Sequence, residues 1–381
     1  MPDSEFDLNI FAIANRRELS GLNLYEPSKP LGVNVCQHLI SVTAGLSDGN
    51  YRILSAYTLL PSILCNTIPI VHIKGVSGSG KSQLLIAISD MLGNHLVAGN
   101  STPASIKNVI NKMRWSDPET LKHEKNCHLL LDNANSDTFA DSNILGAFLN
   151  GYNRRTDRQY ISQGNGQNIE FKVFCPKLIT SVWDFDQPEM LRRLLVIKTS
   201  KTSNLVEVID PNDINFGAIK EDLTSYWFSE SKSLEFRDFR SAIKLSIKSL
   251  NSKHSKEKWS LVADLITTGC VTEIWNDFEA AAVDFEVIFD SQLATKTLLE
   301  VIISDAIVAN LGITQIEWSK MSSTGIRLEV NPKIIKDAID ENFNLGLIAR
   351  PSLTKIQELL TKLGFRPVKH SGNKIMYRYC A

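Results

Sequence analysis

The sequence predicts an α/β fold: a core with a mostly parallel sheet, helical regions on either side of it in the chain, and a small helix-and-hairpin unit at the C-terminus. Three observations lead there. Short apolar strands alternate with helical patterns between Ile68 and Lys198, the arrangement in which each crossover returns the chain to the same end of the sheet and makes neighbouring strands parallel. A glycine-rich turn joins the first of these strands to an amphipathic helix. From Arg350 onward the chain turns basic.

Composition excludes several classes. At 381 residues, 43% hydrophobic and 22% charged, the chain can bury two or three ordinary cores and is neither disordered nor of low complexity. Forty-one Lys and Arg against 42 Asp and Glu give a formal charge of -1, so any attraction to nucleic acid must be local. The six cysteines (Cys36, Cys65, Cys127, Cys175, Cys270, Cys380) include no CxxC pair, which fits a reducing compartment better than a disulfide framework or a zinc site. The acidic start, Met1 to Glu5, lacks the basic and apolar stretches of a secretory signal, and a cytoplasmic location is expected. Ile53 to Val71 is free of charge, but Pro61, Asn66 and Pro69 interrupt it; a helix ending near Cys65 and a following strand account for it, and no membrane partner is expected.

Along the chain, residues 1–66 read as a helical lead-in without a motif. Residues 67–203 form the α/β core, with strands expected at Ile68–Lys74, His95–Ala98, Cys127–Leu131, Pro176–Val182 and Leu194–Ile197. Residues 204–315 are helical, with Trp259, Leu261, Val262, Leu265 and Ile266 at helical spacing and a second such set from Leu298 to Ile307. Residues 316–381 are the terminal unit.

The segment Gly75-Val76-Ser77-Gly78-Ser79-Gly80-Lys81-Ser82 matches G-x-x-x-x-G-K-[ST] in full, between an apolar strand and the helix from Gln83 to Leu92. Consecutive backbone amides can converge on a polyphosphate only where the chain adopts conformations that glycine tolerates. Lys81 is then expected to reach the β- and γ-phosphates and Ser82 to place its hydroxyl on Mg²⁺, beside the positive end of a helix dipole. A metal-holding carboxylate is expected at a neighbouring strand end, and His128-Leu129-Leu130-Leu131-Asp132 supplies Asp132.

The next residue, Asn133, stands where hydrolytic enzymes of this kind carry an acid. An amide orients water but cannot accept its proton, so slow hydrolysis is compatible with the site and fast hydrolysis is in doubt. Asp137 is a further carboxylate in the same loop. At the end of Lys177 to Val182, Ser181 or Thr180 is placed to sense a γ-phosphate, with Ser181 favoured for that role, although hydroxyls at strand ends more often cap the next turn. Arg192 and Arg193 lie where a helix meets an apolar strand; Arg193 is favoured to stabilise transition-state charge at the nucleotide of a neighbouring subunit.

Together these residues resemble the helicase-like ATPases of phages, plasmids and other mobile elements, within the AAA+ group of P-loop NTPases that includes the superfamily 3 helicases. The stretches LLLDNANSDTF (129–139), LNGYNRR (149–155), FKVFCPKLIT (171–180) and LRRLLVI (191–197) follow that family's order of metal-binding strand, helix, pre-sensor hairpin, sensor strand and arginine-bearing helix. Lys256 to Trp275 and the chain end are similar to the helical and C-terminal parts of primase-associated relatives. The resemblance implies ATP and Mg²⁺, a homo-oligomeric ring, often a hexamer, single-stranded or forked DNA, and a primase or polymerase as partner. Asn133 and Val182, where relatives carry an acid and often an Asn, depart from the pattern. The turn Gln163–Gln167, between Gln159–Ser162 and Asn168–Val173, fits a pre-sensor hairpin but has no Lys at its tip.

From Arg350 to Tyr379 there are seven Lys or Arg and one acid, Glu358, a balance of +6 that leaves -7 for the rest. Ser352 is the expected N-cap of a helix whose apolar face is Leu353, Ile356, Leu359, Leu360 and Leu363, ending at Gly364. A hairpin of Phe365–Val368 and Lys374–Tyr379 and an upstream helix near Pro332–Phe343 complete a winged-helix pattern. Lys355, Lys362, Arg366, Lys369, Lys374 and Arg378 are expected to neutralise phosphates, with Tyr377 and Tyr379 able to stack on bases. The sequence reading is therefore a ring-forming, nucleic-acid-associated ATPase in replication of a mobile element. The alternative is an ATP-binding assembly or DNA-binding scaffold that hydrolyses slowly or not at all; a small-molecule kinase is weaker, since no short arginine-rich lid is visible.

Overall fold

The computed structural model describes residues 21–93, 103–117, 122–134, 136–139, 142–162, 168–185, 187–201, 208–311, 329–330, 332–345, 350–363, 365–369 and 375–379. The expected strand His95–Ala98, the turn Gln163–Gln167, Gly364 and Lys374 lie outside the described residues, as do the side chains of Asp137 and Lys369.

The chain runs through α1 (Leu31–Val42), α2 (Asp48–Thr58), β1 (Ile70–Lys74), α3 (Lys81–Leu92), α4 (Pro103–Arg114), the short hairpin β2 (Trp115–Asp117) and β3 (Lys122–Glu124), and β4 (Leu129–Leu131). It continues with α5 (Ser142–Asn150), the hairpin β5 (Arg158–Ser162) and β6 (Asn168–Lys172), β7 (Lys177–Ser181), α6 (Pro188–Leu191) and β8 (Leu194–Lys198). Helices α7 (Gly217–Tyr226), α8 (Glu230–Ser249), α9 (Lys256–Val271) and α10 (Phe278–Leu311) lead to β9 (Glu329–Val330), α11 (Pro332–Asn344), α12 (Leu353–Lys362), β10 (Phe365–Lys369) and β11 (Ile375–Tyr379).

The fold is α/β. Its central sheet has the order β4-β7-β1-β8 with every pair parallel, and helices flank it. Because successive strand residues point to opposite faces, the apolar runs feed two cores. Val71, Ile73, Leu130, Leu178, Leu195 and Ile197 face one core; Ile70, Leu129, Leu131, Ile179 and Leu194 face the other. The first core is shared with α1, α2, α3 and the helices α7 to the first half of α10, so residues on both sides of positions 66 and 204 pack into one interior. The second is covered by α4 and α5, with Phe139 and Phe148 edge to face at 5.0 Å.

The N-terminal helix differs from expectation: α2 stops at Thr58, not near Cys65. Pro61 has no amide to donate and disfavours helical geometry in the residue before it, and its carbonyl instead accepts the amides of Leu64 and Cys65 at 2.8 and 3.2 Å in a turn.

At the C-terminus, β10-β11-β9 form an antiparallel sheet that shares a third core with α11, α12 and the end of α10. Ser352 caps α12, its hydroxyl accepting the Lys355 amide at 3.1 Å. Leu359 and Leu360 are buried, but Leu353, expected on the same apolar face, is 70% exposed, because the first residue of the helix projects beyond the core.

Candidate functional site

The glycine loop leaves the C-terminal end of β1 and runs into α3. Gly80 is the N-cap of that helix in the left-handed region (φ 80°), so Lys81 and Ser82 open the helix, where backbone amides have no intrahelical acceptor. A Cβ on Gly80 would also stand 2.5 Å from the Thr43 hydroxyl, because the turn between α1 and α2 packs on the loop. The Lys81 ammonium folds inward and donates to the carbonyls of Gly75 and Val76 at 2.9 and 2.8 Å. Burial pushes its pKa below the ordinary lysine value, and the Asp132 carboxylate opposes that shift.

Asp132 lies just past β4, and the β4–β7 register brings it beside Thr180. The Ser82 hydroxyl donates to its two carboxylate oxygens at 3.2 and 3.0 Å, and the Thr180 hydroxyl donates to Oδ1 as well. The Asn133 amide nitrogen of the side chain donates to Oδ2 at 3.1 Å. Thr180 also accepts the backbone amides of Asn133 on its hydroxyl (3.0 Å) and of Ala134 on its carbonyl (2.9 Å). That backbone reversal puts Asn133 at φ 53°, a conformation that Asn tolerates better than most residues. Hydroxyl and carboxylate oxygens are the donors a hard divalent cation prefers, and a single protein carboxylate leaves room for phosphate and water ligands, which suits Mg²⁺. Among the described residues no group of three or more His, Cys, Asp or Glu converges, so the donor set does not suit a transition-metal centre.

Of the two candidate sensor hydroxyls, Thr180 and not the favoured Ser181 meets Asp132. Ser181, one residue on and therefore on the other face of the strand, is 1% exposed; its hydroxyl lies 2.8 Å from His72 Nε2, donates to the Trp183 carbonyl at 2.8 Å and accepts the Trp183 amide at 3.1 Å. Burial holds the His72 pKa well below its usual value, with Lys74 and Lys81 adding to the shift, so this imidazole is neutral.

Arg193 lies at the opposite end of the sheet. Its carbonyl accepts the amide of Ile70, the first residue of β1, and Leu194 is in register with Ile70, whereas the glycine loop begins after Lys74. The strand between spans about 13 Å. The Arg193 guanidinium stacks on Tyr152 at 4.5 Å and donates to the Glu189 carbonyl at 2.5 Å, while its Nε is buried without a partner among the described residues. Arg192 is exposed. In the C-terminal unit, Lys355 and Lys362 are both paired with Glu358, at 2.9 and 3.3 Å. Arg366, exposed on β10, stands directly across from Arg378 on β11. The hairpin β5–β6 is regular from Arg158↔Lys172 to Ser162↔Asn168.

Two features of the site escaped sequence reasoning. Lys74, the residue before the loop, is buried and paired with Asp184 at 2.5 Å; Asp184 in turn gives its amide to the carbonyl of Arg350, and Arg350 its amide to Val182, at 2.9 Å each. The segment Thr199–Lys201 packs on the loop from β8. The available signal was position: it follows a strand that borders β1, at the end of the sheet where α/β folds bind ligands.

No protein-family model matches this chain, and no curated protein matches it. Among solved structures the chain is similar to one described as the active helicase Cch of SCCmec type IV (11% identity, TM-score 0.36, covering 100% of this chain and 71% of that one). It is also similar to the apo C-terminal region of NrS-1 (14%, TM-score 0.32, 94% and 80%) and to Drosophila ORC bound to DNA (14%, TM-score 0.21, 99% and 97%).

Proposed function

We propose that this protein is an ATP-dependent nucleic-acid motor of the AAA+ type, serving replication of a mobile element, with ATP bound between subunits of a homo-oligomeric ring. One observation carries the reading: the Ser82 hydroxyl and the Asp132 carboxylate meet at 3.0 Å at the foot of a complete glycine loop, where Lys81 opens the helix. Amides of Val76 to Ser82 would cradle the phosphates, with that of Gly75 held by the Ser181 carbonyl at 3.3 Å, and Lys81 would exchange its loop carbonyls for phosphate oxygens. Ser82 and Asp132 would hold Mg²⁺, which neutralises phosphate charge when bound. Thr180 keeps the Asp132 carboxylate oriented, and Asn133 would orient water.

Arg193 cannot serve the site of its own chain, from which the length of β1 separates it. It would act in trans, through the part of its guanidinium that is not buried, since Arg193 is half-exposed. The C-terminal sheet and helices would form a winged helix, with Arg366 and Arg378, neighbours across β10 and β11, on single-stranded or forked DNA.

ATP turnover measured with and without single-stranded DNA tests this, on the native protein and on Lys81→Ala and Arg193→Ala. DNA-stimulated turnover lost in both variants is the expected result; no nucleotide binding by the native protein overturns it. A second reading, a scaffold that binds ATP and barely hydrolyses it, is favoured by Asn133, whose side chain donates to Asp132 and has no proton-accepting carboxylate. Binding without turnover would select that reading.

A further inference from the structure

We propose that Lys201 is a second phosphate-binding cation of this site, gripping a nucleoside di- or triphosphate from the outer side of the glycine loop; the inference rests on the phosphate-loop reading above. Lys74 and Lys198 are in register as the last residues of β1 and β8, so the residues after β8 emerge beside the loop. They are tied to it. The Thr199 amide donates to the Lys74 carbonyl at 2.8 Å, the Thr199 hydroxyl lies 2.6 Å from that of Ser79, and the Ser200 amide donates to the Gly45 carbonyl at 3.1 Å. Two hydrogen-bonded residues thus deliver Lys201 to a defined place.

That place is the tip of the loop. Lys201 Cε lies 3.1 Å, and Nζ 3.7 Å, from where a Cβ on Gly78 would stand. Gly78 is in the left-handed region (φ 78°), and any side chain there would also press on this lysine. Lys201 is exposed, and among the described residues its ammonium has neither a hydrogen bond nor an ion pair. A cation held against the tip of a glycine loop and near the positive end of α3, with no acid partner among those residues, is an arrangement that an oxyanion relieves. Lys81 approaches the loop from inside and Lys201 from outside, so a polyphosphate would lie between two ammonium groups contributed by one chain. Arg193, by contrast, would arrive from a neighbour.

The test is equilibrium binding of ADP and ATP to the full-length protein over a series of KCl concentrations, for the native chain, Lys201→Ala and Lys201→Arg. Lys201→Ala is expected to bind both nucleotides about tenfold more weakly, the scale of one charge-assisted hydrogen bond, with a flatter salt dependence. Lys201→Arg should stay close to native, and melting temperatures should not move, because the side chain is exposed. If Lys201→Ala keeps native affinity and native salt dependence, the inference is wrong while the phosphate-loop reading stands. If the native protein binds neither nucleotide, that reading fails first and takes this inference with it.

Discussion

Lys177 opens β7 and Ser181 closes it, and the two ends of that strand use polar side chains in different ways. At the Lys177 end the groups are buried and turned inward. The Lys177 ammonium, in a residue 1% exposed, donates to the carbonyls of Gly151 and Val173 at 2.8 Å and of Cys175 at 3.0 Å. The Tyr57 hydroxyl accepts the Lys177 amide at 2.7 Å. Arg114 and Asp157 form a buried pair at 2.6 Å, and Arg154 donates to the Cys65 carbonyl at 2.9 Å while stacking on Phe174. At the other end, Ser82 and Asn133 are exposed and Asp132 is half-buried. Cations at the first end close the protein's own carbonyls; at the second, Lys81 also rests on the carbonyls of Gly75 and Val76, but Lys201 is exposed. A buried charge needs a full set of internal partners, which is why a lysine in a strand is not by itself a sign of a binding site. Arg193 breaks the pattern, since it belongs to the first end yet keeps a nitrogen unpaired.

The largest expected effect tests that exception. Arg193→Ala should lower ATP turnover on the order of 10³-fold with nucleotide affinity unchanged. Mixing it with Lys81→Ala should recover part of the activity, because an intact loop in one subunit can meet an intact arginine in the next. No recovery in mixtures, or an unmixed Arg193→Ala that turns over normally, would remove the trans assignment.

Next comes the buried end. Lys177→Met should cost about 3–5 kcal/mol in urea unfolding, because it strands three buried carbonyls. A loss near zero would show that this lysine does not hold the first end together. A smaller change is expected at the ligand end: Asn133→Glu supplies the missing proton acceptor and should raise turnover on the order of 10²-fold, offset in part by the cost of a left-handed backbone for Glu. Unchanged turnover, with the carboxylate in place, would mean that proton removal does not limit the rate.

The smallest effect concerns His72, which joins β1 to Ser181. Its folded pKa is depressed by burial, as is that of His38. The unfolded chain therefore takes up protons that the folded chain refuses, and stability is full above the ordinary histidine pKa of 6.5 and falls as pH drops below it. The His72 share should be about 1 kcal/mol at pH 5.5, and His72→Gln should flatten the profile of melting temperature against pH by that amount. A His72→Gln profile as steep as native would move the effect elsewhere.

Much of this was legible in the chain. The strand at Ile70, the glycine turn and the helix after it form one contiguous stretch, and the apolar runs at Leu129 and Leu178 mark strands that contribute to both cores. Other residues were not legible. Thr180 and Ser181 are equivalent as hydroxyls at a strand end, and only the pleat and the β4–β7 pairing send one to Asp132 and the other to His72. Lys177 reads as an ordinary strand-edge lysine until Gly151, Val173 and Cys175 are brought around it. The end of α2 was overrun because apolar residues continue past Pro61.

What the sequence alone determined is the glycine loop and the strand-turn-helix that presents it, since a loop built to bring successive amides together is written in consecutive residues. The tertiary structure alone decided that Asp132, Thr180 and Lys201 stand around the loop while Arg193 stands a strand-length away. Those positions depend on the order and register of parallel strands joined by long crossovers, and local residue preferences do not encode which strand lies beside which.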